Sequence, residues 1–409
     1  MSLLLVILLA AAEPPREWVE PTGHRVVRLS DDPGSASLYF HQNQYTAGGD
    51  KLLFSRDDGL YTVELPAPRS GALPSDAELT SASRKTRRIE KVVDGRVSHV
   101  VVGAKSRQVY YVKDGTVLAT HLDTRATRQV VARPELRSGS GLTVNADETL
   151  LAGSYTEGPV PSGVPPPGAT VNPPPSSNPQ AVPPPQESRL EARWAMRLPM
   201  ALYTVSLATG EVKSIYRSND WLNHVQFSPA DPGLLMYCHE GPWHKVDRIW
   251  TIRTDGSGRR LMHARTMDME IAGHEFWAAD GKFIWYDLQT PKYEVFWLAG
   301  VSVAGEERIR YPVAREHWSV HFNVSPDGKL FAGDGGGPRS VAAPGNGQWI
   351  YLFRPKGTAL EAERLVDLAR HDYQLEPNVS FTPDQKWIVF RSNMHGPTHV
   401  YAVEVEKRE

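Results

Sequence analysis

Residues 321–332 read HFNVSPDGKLFA, which is an apolar stretch, a polar turn at Asp327–Gly328 and a second apolar stretch. Two short apolar segments joined by an Asp-Gly turn are typical of a β-hairpin. The same pattern occurs in six further segments, which are residues 45–54, 100–112, 142–152, 225–237, 274–286 and 379–390. Most copies are followed by one more strand-like segment, such as LYTVEL, LYTVSL or HVYAVEV. Each unit therefore predicts a small antiparallel sheet.

The spacing of the copies indicates how these sheets are arranged. Most copies start roughly 40–57 residues apart, which is the repeat length of a β-propeller blade. Seven such units predict an all-β fold, a seven-bladed β-propeller. Residues 25–27 have the character of a strand, and we expect them to join the last blade near residues 400–405 and close the ring. We expect residues 13–409 to form this single domain.

One interval between copies is longer, and it contains the Pro-rich residues 158–186. A segment of this composition cannot pair as strands and has little to bury, so we expect a polyproline-like surface insertion. We place this insertion within the fourth blade. The alternative is a hinge between two domains, which the continuing repeat disfavours.

Composition excludes some classes of partner. The 409 residues include 45 basic and 47 acidic residues, with a formal net charge of −2. Nothing in this balance indicates a nucleic-acid or membrane surface, so an anionic ligand has to be met by local arginines. Cys238 is the one cysteine, and an internal disulfide is therefore impossible.

The first residues read MSLLLVILLAAAEPP. The apolar run at residues 3–12 is too short to span a bilayer, and an Ala-rich end is typical of a signal-peptide cleavage site. We therefore predict that residues 1–12 are a signal peptide, that the protein has no integral membrane span, and that it is periplasmic or secreted. If the apolar start is not a signal, the location is cytoplasmic.

Three histidines lie at equivalent points of neighbouring copies. His274 and His321 begin copies five and six, and His224 precedes copy four. Side chains at one register of successive blades converge on the propeller axis, where inner-strand ends meet and ligands bind. Taken alone, His274 is better explained as a histidine that caps a blade edge. Their repetition favours a site.

Further candidates surround the fourth copy. His239 and Glu240 begin the run HEGP, whose Gly-Pro predicts a loop on one face of the disc. We assign substrate binding to His239, Glu240 and His224. Arg248 follows Asp247 and precedes an apolar strand. It is either the partner of Asp247 on a solvated strand or a planar donor for a carboxylate.

The loop before the last copy is also polar. Tyr373, Glu376 and Asn378 stand there at a register like that of His321 in its own copy. This is either ordinary loop polarity or the remainder of a metal site with His321.

Four runs carry a resemblance to a known family. The runs HEGPWHKVDRIW at 239–250, HEFWAADG at 274–281, HFNVSPDGKLFAGDG at 321–335 and EPNVSFTPD at 376–384 resemble oligogalacturonate lyases of pectate lyase family 22. The segment at 24–54 resembles the start of that family.

The resemblance implies pectin degradation, by β-elimination on short oligogalacturonates or a related uronate. The partner would be a small acidic oligosaccharide. His274 matches the family's base, Arg248 its carboxylate-binding arginine, and His321 one metal-binding histidine. A divalent metal and an arginine neutralise the carboxylate electrostatically, and a neutral imidazole then removes the C5 proton.

The chain departs from the family in its metal loop. The family has a glutamine and two histidines where this chain has Tyr373, Glu376 and Asn378. Glu376 and His321, with Asn378 as a further carbonyl ligand, could still hold Mn²⁺ or another divalent cation such as Ca²⁺. The altered loop also suits a non-catalytic propeller that binds a glycan or a protein. A serine-peptidase propeller is disfavoured, because the chain has no G-x-S-x-G motif.

Overall fold

The computed structural model describes residues 13–66, 88–159, 186–338, 340, 343 and 347–407. Within these residues the chain forms 28 β-strands, one α-helix and two short 3₁₀ helices, at Pro134–Ser138 and Arg315–His317. The predicted signal peptide lies outside the described residues. No described helix has both the length and the apolar character that a bilayer span requires.

The strands build seven antiparallel sheets in chain order. Two strands precede the first sheet, β1 (Glu17–Val19) and β2 (Arg25–Arg28). Blade one contains β3 (Lys51–Arg56), β4 (Gly59–Glu64) and β5 (Ile89–Asp94). Blade two contains β6 (Ser98–Val102), β7 (Gln108–Lys113), β8 (Thr116–His121) and β9 (Thr127–Ala132). Blade three contains β10 (Gly139–Val144), β11 (Leu150–Thr156), β12 (Met200–Ser206) and β13 (Val212–Ser218).

The remaining blades follow the same up-and-down order. Blade four contains β14 (Trp221–Phe227), β15 (Leu234–Glu240), β16 (Ile249–Arg253) and β17 (Arg260–Leu261). Blade five contains β18 (Ile271–Trp277), β19 (Phe283–Gln289), β20 (Phe296–Ser302) and β21 (Arg308–Pro312). Blade six contains β22 (Phe322–Val324), β23 (Phe331–Gly333), β24 (Trp349–Lys356) and β25 (Ala359–Asp367). Blade seven contains β26 (Ser380–Phe381), β27 (Trp387–Ser392) and β28 (His399–Glu404), joined by β2 and β1.

The sheets pack face to face around a closed ring. Strand residues alternate between the two faces of a sheet, so each apolar blade buries side chains against both neighbours. The core accordingly divides into seven apolar clusters, one for each neighbouring pair of blades. The cluster between blades seven and one, which includes Val389 and Phe54, completes the circle. The predicted seven-bladed propeller is confirmed.

The ends of the chain meet in blade seven, as predicted. Strand β2 pairs antiparallel with β28, placing Val27 opposite Ala402. Strand β1 then adds outside β2. The buried Arg25 guanidinium donates to Glu17 at 2.7 Å, which ties these two strands together. The ring is closed by hydrogen bonds between residues at opposite ends of the sequence.

The Pro-rich insertion belongs to blade three, and its assignment to the fourth blade is wrong. It leaves after β11 and returns before β12, which are paired neighbours in one sheet. Residues 160–185 lie outside the described residues. The chain returns in helix α1 (Gln186–Ala195), whose Glu191 pairs with Lys245 at 2.6 Å. The helix therefore packs on the loop that follows β15.

Candidate active site

The site is built at one repeated position of the inner strands. In each blade, a backbone hydrogen bond closes the turn between the first two strands, as from the Ser325 N–H to the Leu330 carbonyl in blade six. The repeated position lies four residues before the donor of this bond. The seven residues at this position are Gln42, His99, Gly141, His224, His274, His321 and Asn378.

Five of these seven residues adopt left-handed backbone geometry. Their φ values are 52° at His99, 65° at Gly141, 47° at His224, 46° at His274 and 55° at Asn378. In blades two to five the inner strand also has a β-bulge at this point. A bulge breaks the ladder and redirects a side chain, and a positive φ is costly for residues other than glycine. Strain of this kind is typical of functional positions.

The predicted histidines come together at the centre of the ring. The rings of His274 and His321 lie 4.5 Å apart, centroid to centroid. Tyr39 links the third histidine to this pair, because its ring lies 5.3 Å from His321 and 5.6 Å from His224. His41 lies 5.7 Å from His224. The segment at residues 39–41 therefore completes a cluster that spans blades four to six.

Blades six and seven hold this segment in place. The backbone N–H of Phe40 donates to the side-chain oxygen of Asn378 at 3.2 Å. Its carbonyl accepts from the side chain of Asn323, also at 3.2 Å. The Phe40 ring packs against Phe276 in the core. These two polar contacts and one apolar contact fix Phe40, and through it the position of the neighbouring Tyr39.

His274 has the geometry of a general base. Its Nδ1 lies 2.8 Å from Oδ1 of Asp287, which is fully buried. An ionised carboxylate can only accept, so Nδ1 carries the proton and the lone pair lies on Nε2. Trp243 packs edge-on against the ring at 5.2 Å. The imidazole is therefore fixed in orientation and tautomer.

His321 forms a second pair of the same kind. Its Nδ1 lies 2.7 Å from Oδ2 of Asp334, and its backbone N–H donates to the other oxygen of that carboxylate. Its Nε2 is buried without a hydrogen-bond partner among the described residues, 3.8 Å from the Glu376 carboxylate. Burial lowers the pKa of His321, but Asp334 and Glu376 outweigh this effect and raise it.

Arg248 is paired with two buried carboxylates. Its Nε donates to Glu275 at 3.1 Å, and its Nη1 donates to Glu240. The guanidinium also lies over Trp243, 5.2 Å from the ring centroid. One positive and two negative charges give this group a formal charge of −1. The structure thus places Arg248 beside His274 but with its charge already neutralised.

The predicted substrate-binding residues separate into two groups. Glu240 lies inside the cluster, 3.3 Å from His224 Nε2, and is buried. Burial raises the pKa of Glu240, but Arg248 and His224 outweigh this effect and hold it below its usual range. His239 precedes Glu240 on the same strand, so its side chain points to the opposite face of the sheet, where its Nε2 lies 3.4 Å from Asp220. The structure does not bring His239 into the histidine cluster.

The predicted metal ligands differ in what their side chains contact. Asn378 uses its side-chain oxygen on the Phe40 N–H and its amino group on the Glu376 carbonyl. The Tyr373 hydroxyl donates to the Asp334 carbonyl at 2.9 Å. Only His321 Nε2 and the Glu376 carboxylate are left to face a cation. Among the described residues, no group of three or more His, Cys, Asp or Glu is arranged to hold a metal. Of the predicted set, His321 and Glu376 therefore lie side by side, while the Asn378 oxygen is engaged by the Phe40 N–H.

Several residues at the site were not identified from the sequence. These are Tyr39, His41, Asp287, Asp334 and Arg391. Three of them carried a signal. Asp287 and Asp334 each stand thirteen residues after the histidine that they orient, and Arg391 stands thirteen residues after Asn378. The same interval in consecutive copies marks a paired position on the second strand of each blade. Tyr39 and His41 have no repeated counterpart.

A family model matches the half of the chain that carries most of this cluster. The model describes oligogalacturonate lyases, and it matches residues 195–408, more than half of the chain. The chain belongs to the oligogalacturonate lyase family. The match covers blades four to six and strands β26–β28 of blade seven, and so includes both His–Asp pairs and Arg248. Tyr39 and His41 lie outside the matched residues.

Two characterised relatives carry the name of the same family. The chain is 31% identical over 233 residues to an oligogalacturonide lyase of Pectobacterium atrosepticum, covering 50% of this chain and 55% of that protein. It is 25% identical over 410 residues to an oligogalacturonate lyase of Dickeya dadantii, covering 94% of each. The alignment thus spans about half the length of the first relative and nearly all of the second.

Solved structures of oligogalacturonate lyases share the propeller. One, in complex with manganese, is 24% identical to this chain with a TM-score of 0.75, covering 95% of this chain and 96% of the other. Another, from Vibrio parahaemolyticus, is 22% identical with a TM-score of 0.74 and the same coverage. At this level of identity the likeness shows the fold, with the oligogalacturonate lyase architecture extending over the whole ring.

Proposed function

We propose that this protein cleaves short oligogalacturonates, or oligomers of a related uronate, by β-elimination. The observation that carries the proposal is the His274–Asp287 pair, which directs Nδ1 to a buried carboxylate and leaves Nε2 without a hydrogen-bond partner among the described residues, in a propeller of the oligogalacturonate lyase family. The two relatives named above are lyases of oligogalacturonates.

His274 removes the C5 proton in this scheme. The proton passes to Nε2, and the electron pair forms the C4–C5 double bond while the C4–O bond breaks. The imidazole becomes positively charged as the proton arrives, and Asp287 stabilises that charge at 2.8 Å. An imidazole suits this task near neutral pH because its ordinary pKa lies close to the working range. The product is an unsaturated uronate.

Tyr39 supplies a proton to the departing oxygen. Its hydroxyl has no hydrogen-bond partner among the described residues and is therefore available to a ligand. Burial raises the pKa of Tyr39 well above its ordinary value, and Glu376 adds to this effect. The phenol therefore keeps its proton beyond the pH at which an ordinary tyrosine loses it. The rings of Tyr39 and His274 both lie against the ring of His321, with centroid distances of 5.3 Å and 4.5 Å.

The direct test is ultraviolet absorbance of the conjugated double bond during incubation with digalacturonate. We expect absorbance to rise with the wild-type protein and to stay flat with His274→Ala. His99→Ala is the matched control, because it removes a histidine from the same register position of another blade. A flat trace with the wild type, together with measurable binding of the sugar, would favour a glycan-binding propeller. An active His274→Ala variant would exclude His274 as the base.

We also propose that the protein acts outside the cytoplasm. Support comes from the apolar run at residues 3–12 and the alanines that end it. Cell fractionation of the full-length chain, with sequencing of the mature N-terminus, tests this. Recovery of uncleaved chain in the cytoplasm would contradict it.

A further inference from the structure

The structure contains a buried arginine that the elimination scheme does not yet use. Arg391 lies on β27, and only 9% of its surface is exposed. Its Nε donates to the carbonyl of Glu376 at 2.7 Å, and its Nη1 lies 3.4 Å from the carbonyl of Ser37. No carboxylate among the described residues forms an ion pair with it. Its Nη2 has no hydrogen-bond partner among them either.

An unpaired buried charge is unusual, because removal from water costs several kcal/mol per ion in real proteins. A buried arginine is usually paired with carboxylates, as Arg248 is with Glu240 and Glu275. Burial lowers the pKa of Arg391, and the opposing effects of Glu376, Tyr39 and Asp334 are smaller. A guanidinium in this state is stabilised when an anion arrives.

The contacts of Arg391 place it beside the catalytic cluster. The residue whose carbonyl it binds, Glu376, has its carboxylate 3.8 Å from His321 Nε2. Ser37, which accepts from Nη1, stands two residues before Tyr39. Arg391 therefore lies where the predicted metal loop and the segment at 39–41 meet. It stands next to the predicted cation ligands His321 and Glu376.

We propose that Arg391 binds the substrate carboxylate and supplies the positive charge that activates C5, so that elimination needs no added divalent cation. This rests on the proposed lyase function and assigns its carboxylate-binding group. A planar guanidinium matches a carboxylate in geometry and stays charged at every working pH. It neutralises the carboxylate next to C5, which makes the C5 proton removable by His274. Arg248, within a group of net charge −1, is left to position Glu240 and Glu275.

The test compares Arg391→Met and Arg391→Lys with the wild type, after exhaustive chelation, on digalacturonate and on its methyl ester. We expect chelated wild type to keep its activity and to prefer the free acid. Arg391→Met should lose about a hundredfold or more in kcat/KM on the acid, a typical cost for one stabilising donor of this kind. It should also lose the preference for acid over ester. The kcat/KM of Arg391→Lys on the acid should lie between the values of the wild type and Arg391→Met.

Two controls separate this proposal from a structural role. Arg253→Met removes an arginine from the partly exposed pair with Asp231 and should change neither quantity. Guanidinium added to Arg391→Ala should restore part of the lost activity, which a packing defect would not allow. Chelation that reduces the wild type to the level of Arg391→Met would overturn the proposal, as would an unchanged acid preference in Arg391→Met.

If the wild type eliminates neither substrate, the proposed lyase function fails, while calorimetry still tests the site. Wild type should then bind galacturonate more tightly than galactose, and Arg391→Met should bind both alike. Equal binding of both sugars by the wild type would overturn the assignment of Arg391 independently of catalysis.

Discussion

Replacement of Asp287 by asparagine should slow elimination strongly without disturbing the fold. Asp287 is fully buried, its Oδ1 lies 2.8 Å from His274 Nδ1, and asparagine has the same shape. In the transition state the imidazole becomes cationic, with its charge about 4 Å from the carboxylate. At an effective dielectric constant of about 20 that attraction is worth about 4 kcal/mol. Its loss corresponds to a factor on the order of 10³ in rate.

The matched control is Asp334→Asn, which makes the same change in the pair with His321. That pair has nearly the same geometry, with 2.7 Å between the atoms. If His274 is the base, Asp287→Asn should have by far the larger effect on kcat, measured by ultraviolet absorbance with digalacturonate. Circular dichroism and urea denaturation check that both variants remain folded. A loss below about tenfold in Asp287→Asn, or a larger loss in Asp334→Asn, would refute the assignment of the base.

Three further predictions address stability and the proton donor. Arg248→Met leaves Glu240 and Glu275 buried without their cation, so the free energy of unfolding in urea should fall by about 3–5 kcal/mol; a fall below about 1 kcal/mol would mean that the carboxylates are hydrated. Tyr39→Phe should lower kcat by about 10²–10⁴ with little change in KM; an unchanged kcat would exclude Tyr39 as the acid. Burial, and then Arg28, lower the pKa of His399 from 6.5 to about 4. Between these two pH values the unfolded chain binds more protons than the folded chain, so the contribution of His399 to the free energy of unfolding should be fully present above pH 6.5 and be lost toward pH 4. This part of the pH dependence, measured as the urea midpoint, should disappear in His399→Gln.

The blades were predictable because their information is local. Each hairpin is specified by a dozen residues with an apolar stretch, a turn such as Asp327–Gly328 and a second apolar stretch. Repetition then supplied the register, and register placed His274 and His321 at equivalent positions before any contact was known. The Asp thirteen residues after each histidine could have been found by the same comparison.

The rest of the site depends on contacts that the sequence does not display. The Phe40 N–H donates to the Asn378 side-chain oxygen across 338 residues, so Tyr39 takes its position only once the ring has closed. Asn378 has the chemistry of a metal ligand, but that same contact occupies its side-chain oxygen. Arg248 matched a carboxylate-binding role by position, and its neutralisation arises from Glu240 and Glu275 on other strands.

Closure in blade seven has a consequence for synthesis. Strand β2 leaves the ribosome more than 370 residues before its partner β28. Until residue 399 has been made, β2 exposes an unpaired edge of the kind that promotes aggregation. Pairing across more than 370 residues also makes the last step of folding slow. The nascent chain is therefore exposed to proteases and chaperones until β28 has been made. Loss of either β2 or β28 disrupts the same sheet, that of blade seven.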